Sequence, residues 1–298
     1  MSDVAPAHGP HGWLVVDKPR GITSAAAVAR IKSLVGRGAK VGHAGTLDPM
    51  ATGVLPVAIG EATKTVSFMM DAPKRYRFGV RWGEQRDTDD AEGAVIETSE
   101  SRPSREAIAA ALPAFVGRIE QVPPAYSALK VGGERAYALA RQGRAPELAP
   151  RTVHIERLTL TEAGDDEAAF AVECGKGTYV RALARDIARA VGTVGYVSWL
   201  HRAAVGPFTD DDANPLDKLV ALGHSPDLAE SLLPVDAVLA DIPALPLTAR
   251  EADRLRHGQP VPAPGAEPGR VRAVAGSRLV ALAEVGAGRA RPLRVFNM

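Results

Sequence analysis

With 298 residues, 46% of them hydrophobic, the chain can fill one large core and a smaller second one, which excludes a disordered chain. Lysine and arginine number 36 against 35 acids, so the net charge of +1 by itself argues neither for nor against nucleic acid. One cysteine, Cys174, excludes an intrachain disulfide, no apolar run reaches membrane-spanning length, and no signal peptide is visible, so a soluble cytoplasmic protein is expected.

Residues 1–11 read as a flexible tail. Trp13 to Val16 is a short apolar strand, residues 17–21 turn the chain, and Thr23 or Ser24 caps a helix to about Val35, which Gly36 ends. The next stretch, VGHAGTLDPMATGVLPVAIG over 41–60, is the most informative. Gly42, Gly45 and Gly53 supply backbone freedom and Pro49 lacks a donor, which places Asp48 on an irregular loop ahead of a buried strand, Val54 to Ile59. A loop acid held against a rigid strand suits catalysis, and an Asx turn beside proline equally well; spacing alone leaves both readings open.

Glu61 to Met70 has helical spacing with Val66, Met69 and Met70 inward. Lys74 to Trp82 alternates, with Tyr76, Phe78, Val80 and Trp82 on one face and Arg75, Arg77 and Arg81 on the other, a half-buried strand. Residues 83–93 form a polar loop, and 104–116 an amphipathic helix with Ala107, Ile108, Ala111 and Leu112 inward. The stretch 123–151, rich in Pro, Gly and basic residues, reads as an inserted arm. Strands follow at 153–160 and 168–174, then a helix whose stripe Val180, Leu183, Ala184, Ile187 and Val191 accompanies a row of Arg181, Arg185 and Arg189. Residues 197–202 lead into a strand ending near Phe208, connecting helices occupy 210–240, and three strand-like segments after residue 241 form a small β-rich domain. Basic residues gather at 74–86 and 130–151 and acids elsewhere, a segregation that suits phosphate contacts or simply solvated faces. The histidines show no paired ligand spacing, so no metal is expected.

The run Gly42-His43-Ala44-Gly45-Thr46-Leu47-Asp48-Pro49, with Ala51 to Pro56 behind it, resembles the signature of the TruB family of tRNA pseudouridine synthases. Residues 17–24, 74–77, 126–130 and 176–181 match further segments in the same order. The resemblance implies an α+β fold: a mixed, mainly antiparallel catalytic sheet over 12–235 with the basic insertion at about 123–151, then a PUA-like RNA-binding domain over 241–298. It implies Asp48 as the catalytic nucleophile or base, paired with Arg181, and Lys18 and Pro19 as support under the loop. His43, Tyr76, Tyr179 and Leu200 would bind the target nucleotide, and Asp90, Lys130 and Arg141 would contact tRNA. Uridine 55 of the T-loop is the implied target, on a T-stem-loop partner, by a monomer with no cofactor and no obligate protein partner.

The chemistry agrees with that residue set. Turning uridine into pseudouridine breaks the C1′–N1 bond, rotates the base, joins C1′ to C5 and releases the C5 proton, which calls for an ionised carboxylate beside the sugar. A neighbouring guanidinium favours the charged form. Flipping the nucleotide costs a few kcal/mol, and stacking on an aromatic offsets roughly 1 to 3 kcal/mol of it, the part implied for Tyr76. Rival readings are an RNA-guided relative, a sugar-cleaving hydrolase, which ordinarily needs two cooperating carboxylates, and an RNA-binding chaperone without catalysis.

Overall fold

A computed structural model describes residues 9–36, 38–127, 129–144, 146–223 and 227–298. The expected tail lies outside the described residues as far as residue 8, and His11 is tied down, its Nδ1 accepting the Glu61 N–H at 3.3 Å.

Ten strands make the main sheet: β1 (Gly12–Lys18), β2 (Val41–His43), β3 (Thr52–Ile59), β4 (Lys74–Trp82), β5 (Gly117–Gln121), β6 (Arg151–Ala163), β7 (Glu167–Cys174), β8 (Gly195–Val205), β9 (Phe208–Thr209) and β10 (Asn214–Pro215). Their order is β10-β1-β3-β8-β4-β7-β6-β5, with β2 on β3 and β9 on β8. Only β10–β1 and β3–β8 are parallel pairs, so the sheet is mixed and mainly antiparallel. The two halves meet at β3–β8 through two register pairs, His201 with Thr52 and Arg202 with Gly53, because β2 takes the rest of that β3 edge.

Alternation explains the layers. On β1, Leu14 and Val16 face helix α1 (Ser24–Leu34) with Ala27 and Ile31, while Trp13 and Val15 face the other side. Val54 and Ala58 do the same on β3, so a strand read as one apolar run is buried on both faces. On the other half of the sheet, Phe78, Val80, Phe170, Val172 and Leu200 pack under helix α5 (Val180–Ala190) through Leu183, Ala184 and Ile187. Helices α2 (Val66–Asp71), α3 (Arg105–Ala111) and α4 (Ala136–Arg141) lie between these elements in sequence.

The C-terminal segment forms a five-stranded sheet from Ala244–Pro246, Val261–Pro262, Gly269–Ala275, Arg278–Gly286 and Arg289–Val295, with one helix, Ala249–Arg256. Leu279, Leu282 and Phe296 join the same cluster as Trp13 and Val54, and Lys64 Nζ donates to the Val295 carbonyl at 2.8 Å. The two sheets therefore share a core.

Three expectations need correction. Met70 is 46% exposed rather than inward. The helix expected from Glu61 is a 3-10 segment, Gly60–Thr65, before α2, and its tighter turn shifts the phase of every residue after it. Ala107 is exposed, and α3 is followed by a 3-10 turn containing Pro113, so Ile108 and Leu112 alone are fully inward. Within the basic run at 74–86, Lys74 is buried, while alternation sends the exposed Arg75 and Arg77 to the side away from Phe78. There they line an open groove of about 500 Å³ together with Arg157, Glu173, Asp210 and Asp211, where charge of both signs is mixed.

Candidate active site

Asp48 rides a loop between β2 and β3 that is fixed from three directions. Gly45 turns it at φ 104°, a conformation that favours glycine. The buried Ser24 hydroxyl accepts the Leu47 N–H at 2.8 Å and donates to the Leu47 carbonyl at 2.9 Å, clamping the residue before Asp48. Thr23, one residue earlier, is the helix cap, accepting the Ala26 N–H. Behind Asp48, the Pro49 carbonyl accepts from the Gly21 N–H at 2.8 Å and from Lys18 Nζ at 3.3 Å. Lys18 is fully buried and also donates to the Pro19 and Ile22 carbonyls, and burial pulls its pKa down to about 8. Lys18 thus braces the loop, and it holds Pro19 by the same ammonium. Gly42 differs from expectation: its φ is not positive and it sits in β2.

Arg181 meets this loop from the first turn of α5. Its Nε lies 2.9 Å from Asp48 Oδ2, as an ion pair whose N–H is not aimed along a hydrogen bond. The remaining guanidinium nitrogens donate to the Thr88 and Tyr126 carbonyls at 2.9 Å each, and Nη1 lies 3.3 Å from Asp90 Oδ2. Arg181 is 6% exposed while Asp48 keeps 32%, so the guanidinium is locked away and the carboxylate stays open to a ligand. The row of arginines along this helix is graded: Arg181 is buried, Arg185 half-buried and Arg189 exposed. Arg185 pairs with Asp89 at 2.9 Å, and burial raises the pKa of that carboxyl.

Asp90, expected to contact tRNA, is 4% exposed, and its Oδ1 accepts from the Thr88 hydroxyl at 2.6 Å and from the Glu92 N–H at 3.0 Å. Tyr76, half-buried, packs against the cluster that holds Leu200 together with Leu47 and Met50, which flank Asp48 in sequence. Tyr179 caps α5, its N–H donating to Gln121 Oε1 at 2.8 Å. Burial raises the hydroxyl pKa of both tyrosines, and both feel the Asp48 charge. His43, at the end of β2, is half-buried and held below its usual pKa by burial and then by Arg202, so it is neutral at pH 7. It lines a groove of about 580 Å³ with Lys32 and Lys40.

Lys130 and Arg141 are exposed on the arm, apart from these groups. The arm carries a two-stranded ribbon, Lys130–Val131 with Glu134–Arg135, and then α4, where Arg141 stacks over Tyr137 at 4.5 Å. Its root is tied to the site, since Arg181 donates to the Tyr126 carbonyl and Arg185 to that of Val122.

Sequence reading missed Arg202, Ser24 as a clamp, and Gln121. Arg202 is 1% exposed and donates from Nε to the Val54 carbonyl at 2.8 Å and from Nη1 and Nη2 to the Thr46 and Gly45 carbonyls at 3.2 Å. The available signal was alternation: Leu200, Arg202 and Ala204 share one buried face of β8.

Comparison with known proteins is consistent along the whole chain. Residues 32–180 match the TruB family pseudouridylate synthase N-terminal domain. Residues 181–240 match the tRNA pseudouridylate synthase B C-terminal domain, and 242–297 the tRNA pseudouridine synthase II C-terminal domain. The tRNA pseudouridine synthase B of Bradyrhizobium diazoefficiens is 56% identical over 97% of this chain and 86% of its own. That of Rhodospirillum rubrum is 54% identical over 97% of both. Among solved structures, a chain of an H/ACA RNP bound to a substrate RNA containing 2′-deoxyuridine shares the fold at TM-score 0.74 and 24% identity, covering 96% of this chain and 85% of that one. A chain of a Cbf5–Nop10–Gar1 complex matches at TM-score 0.71 and 26% identity, over 96% and 84%.

Proposed function

The chain belongs to the TruB family of pseudouridylate synthases, and we propose from that premise that it isomerises uridine 55 in the T-loop of tRNA, with Asp48 as the catalytic carboxylate. The observation that carries the assignment to Asp48 is its pairing with a buried Arg181 while its own carboxylate stays a third exposed. Attack at the sugar and removal of a proton both need an ionised carboxylate within reach of the substrate.

Tyr76 would stack on the extruded base, Leu200 would exclude water beneath it, Tyr179 would close the pocket near the acid, and neutral His43 would hold the nucleotide from the β2 side. Lys130 and Arg141, exposed on the arm, would meet RNA phosphates. The arm, and relatives named tRNA pseudouridine synthase B, favour an enzyme that grips tRNA without a guide RNA or protein partner, as a monomer in the cytoplasm. Among the described residues no helix is long and apolar enough to cross a membrane.

The test is release of tritium from 5-labelled uridine in a T-stem-loop transcript by the purified protein alone. Wild type releases one tritium per pseudouridine formed and liberates no free uracil, whereas Asp48→Asn binds the RNA and releases none. Turnover by the Asn variant, or free uracil in the products, defeats the assignment.

A further inference from the structure

Arg202 stands where two ladders of the main sheet meet. In the β8–β4 ladder it stands opposite Tyr76, and in the β8–β3 ladder opposite Gly53, at one of only two register pairs that join the halves of the sheet. From there its side chain reaches over β3 to the carbonyls of Val54, Thr46 and Gly45. One residue thus touches the strand of Tyr76 and the loop of Asp48.

The cost of this arrangement shows that it is specific. A guanidinium 1% exposed has given up its water, and its three carbonyl acceptors return only partial charges. The planar fork matters, because two acceptors belong to successive loop residues and the third to the strand behind them; an ammonium is a point donor without that spread. Gly45 and Thr46 lie three and two residues before Asp48, so their carbonyls set where the loop begins its turn.

We propose that Arg202 is a positioning residue for catalysis: it holds the Asp48 loop in register with Tyr76, so that the carboxylate and the stacked base meet at the right separation. The inference rests on the isomerase reading above. It predicts a loss in rate rather than in RNA affinity, because the phosphate-facing arm is elsewhere. A displacement of about 1 Å between reacting groups costs on the order of 100-fold in rate.

The experiment compares wild type, Arg202→Lys and Arg202→Gln on a T-stem-loop transcript, measuring kcat, KM and thermal melting. The expected result is a kcat about 100-fold lower in both variants, with KM within threefold and a cooperative melt retained. Arg202→Lys at wild-type kcat overturns the proposal. So does loss of the cooperative melt in both variants, which makes Arg202 a residue of the fold alone, and so does a rise in KM that accounts for the whole loss of kcat/KM. The wild-type rate in the same assay tests the isomerase reading separately.

Discussion

Asp48 and Arg181 lie 2.9 Å apart across the junction of two sequence segments more than a hundred residues distant, and only the acid keeps access to solvent. The arginine is held by the Thr88 and Tyr126 carbonyls as well, so it links the Asp48 loop, the 83–93 loop and the root of the arm. Arg181→Met leaves two carboxylates without their counter-charge and two carbonyls without their donor. Breaking such a buried pair costs about 3 to 5 kcal/mol of stability, read by urea unfolding. Arg181→Lys keeps the charge but cannot span four acceptors, and its kcat is expected to fall about 100-fold with the fold retained. Equal activity in the lysine variant would show that charge alone suffices.

Asp90 offers a finer test of the same network. Asp90→Asn preserves shape and leaves Oδ1 available to the Thr88 hydroxyl and the Glu92 N–H, removing only the charge 3.3 Å from Arg181. Arg181 then keeps Asp48 as its one ion-pair partner and loses the anchor on its other side that fixes where it holds that acid. The expected outcome is a kcat about tenfold lower, or about 1.4 kcal/mol, with KM unchanged in steady-state turnover. A change in KM alone would mean that Asp90 touches RNA after all.

What the sequence disclosed and what it hid divide along physical lines. Asp48, its glycines and the strand behind it are local features, and the loop with its buried strand could be read from residue types alone. The stripe of α5 was equally visible, since Leu183, Ala184 and Ile187 recur at helical spacing. Burial of Arg181 and Asp90 was not, because each carries charge and is covered by segments far away in sequence. Arg202 escaped for a related reason: polar residues are ordinarily assigned to the wet face, and its β8 neighbours His201 and Ala203 are the more exposed ones. Met70 shows the other kind of error, in which a 3-10 turn breaks a phase that periodicity alone carries forward.

His43 gives the stability of the protein a dependence on acid. Its folded pKa lies below the ordinary 6.5, from burial first and the Arg202 charge second. As pH falls through 6.5 the unfolded chain takes up this proton before the folded one, so stability declines from that point downward until folded His43 is also protonated. His43→Gln removes the linkage. Its melting temperature should therefore drop less between pH 7.5 and 5.5 than that of wild type, measured by scanning calorimetry. Parallel losses in the two proteins would assign the acid sensitivity to other groups.

Gly53 is a tight point of the β3–β8 junction. Its φ is 100°, and a Cβ there would lie 2.4 Å from the Arg202 carbonyl oxygen and 2.9 Å from His201 Cε1. Neither the backbone oxygen nor the ring can retreat without opening the two register pairs that join the halves of the sheet. His201 is itself fixed, with Nδ1 2.9 Å from the Thr52 hydroxyl and Nε2 2.9 Å from Asp210 Oδ1. Gly53→Ala is therefore expected to lose about 3 kcal/mol or more in urea unfolding, through left-handed strain and collision together. Gly42→Ala is the control, because its φ is not positive and an added Cβ there meets nothing within 4 Å. It should stay within about 1 kcal/mol of wild type. If both variants melt alike, the seam tolerates displacement, and Asp48 and Tyr76 must be held in register by contacts other than the β3–β8 junction.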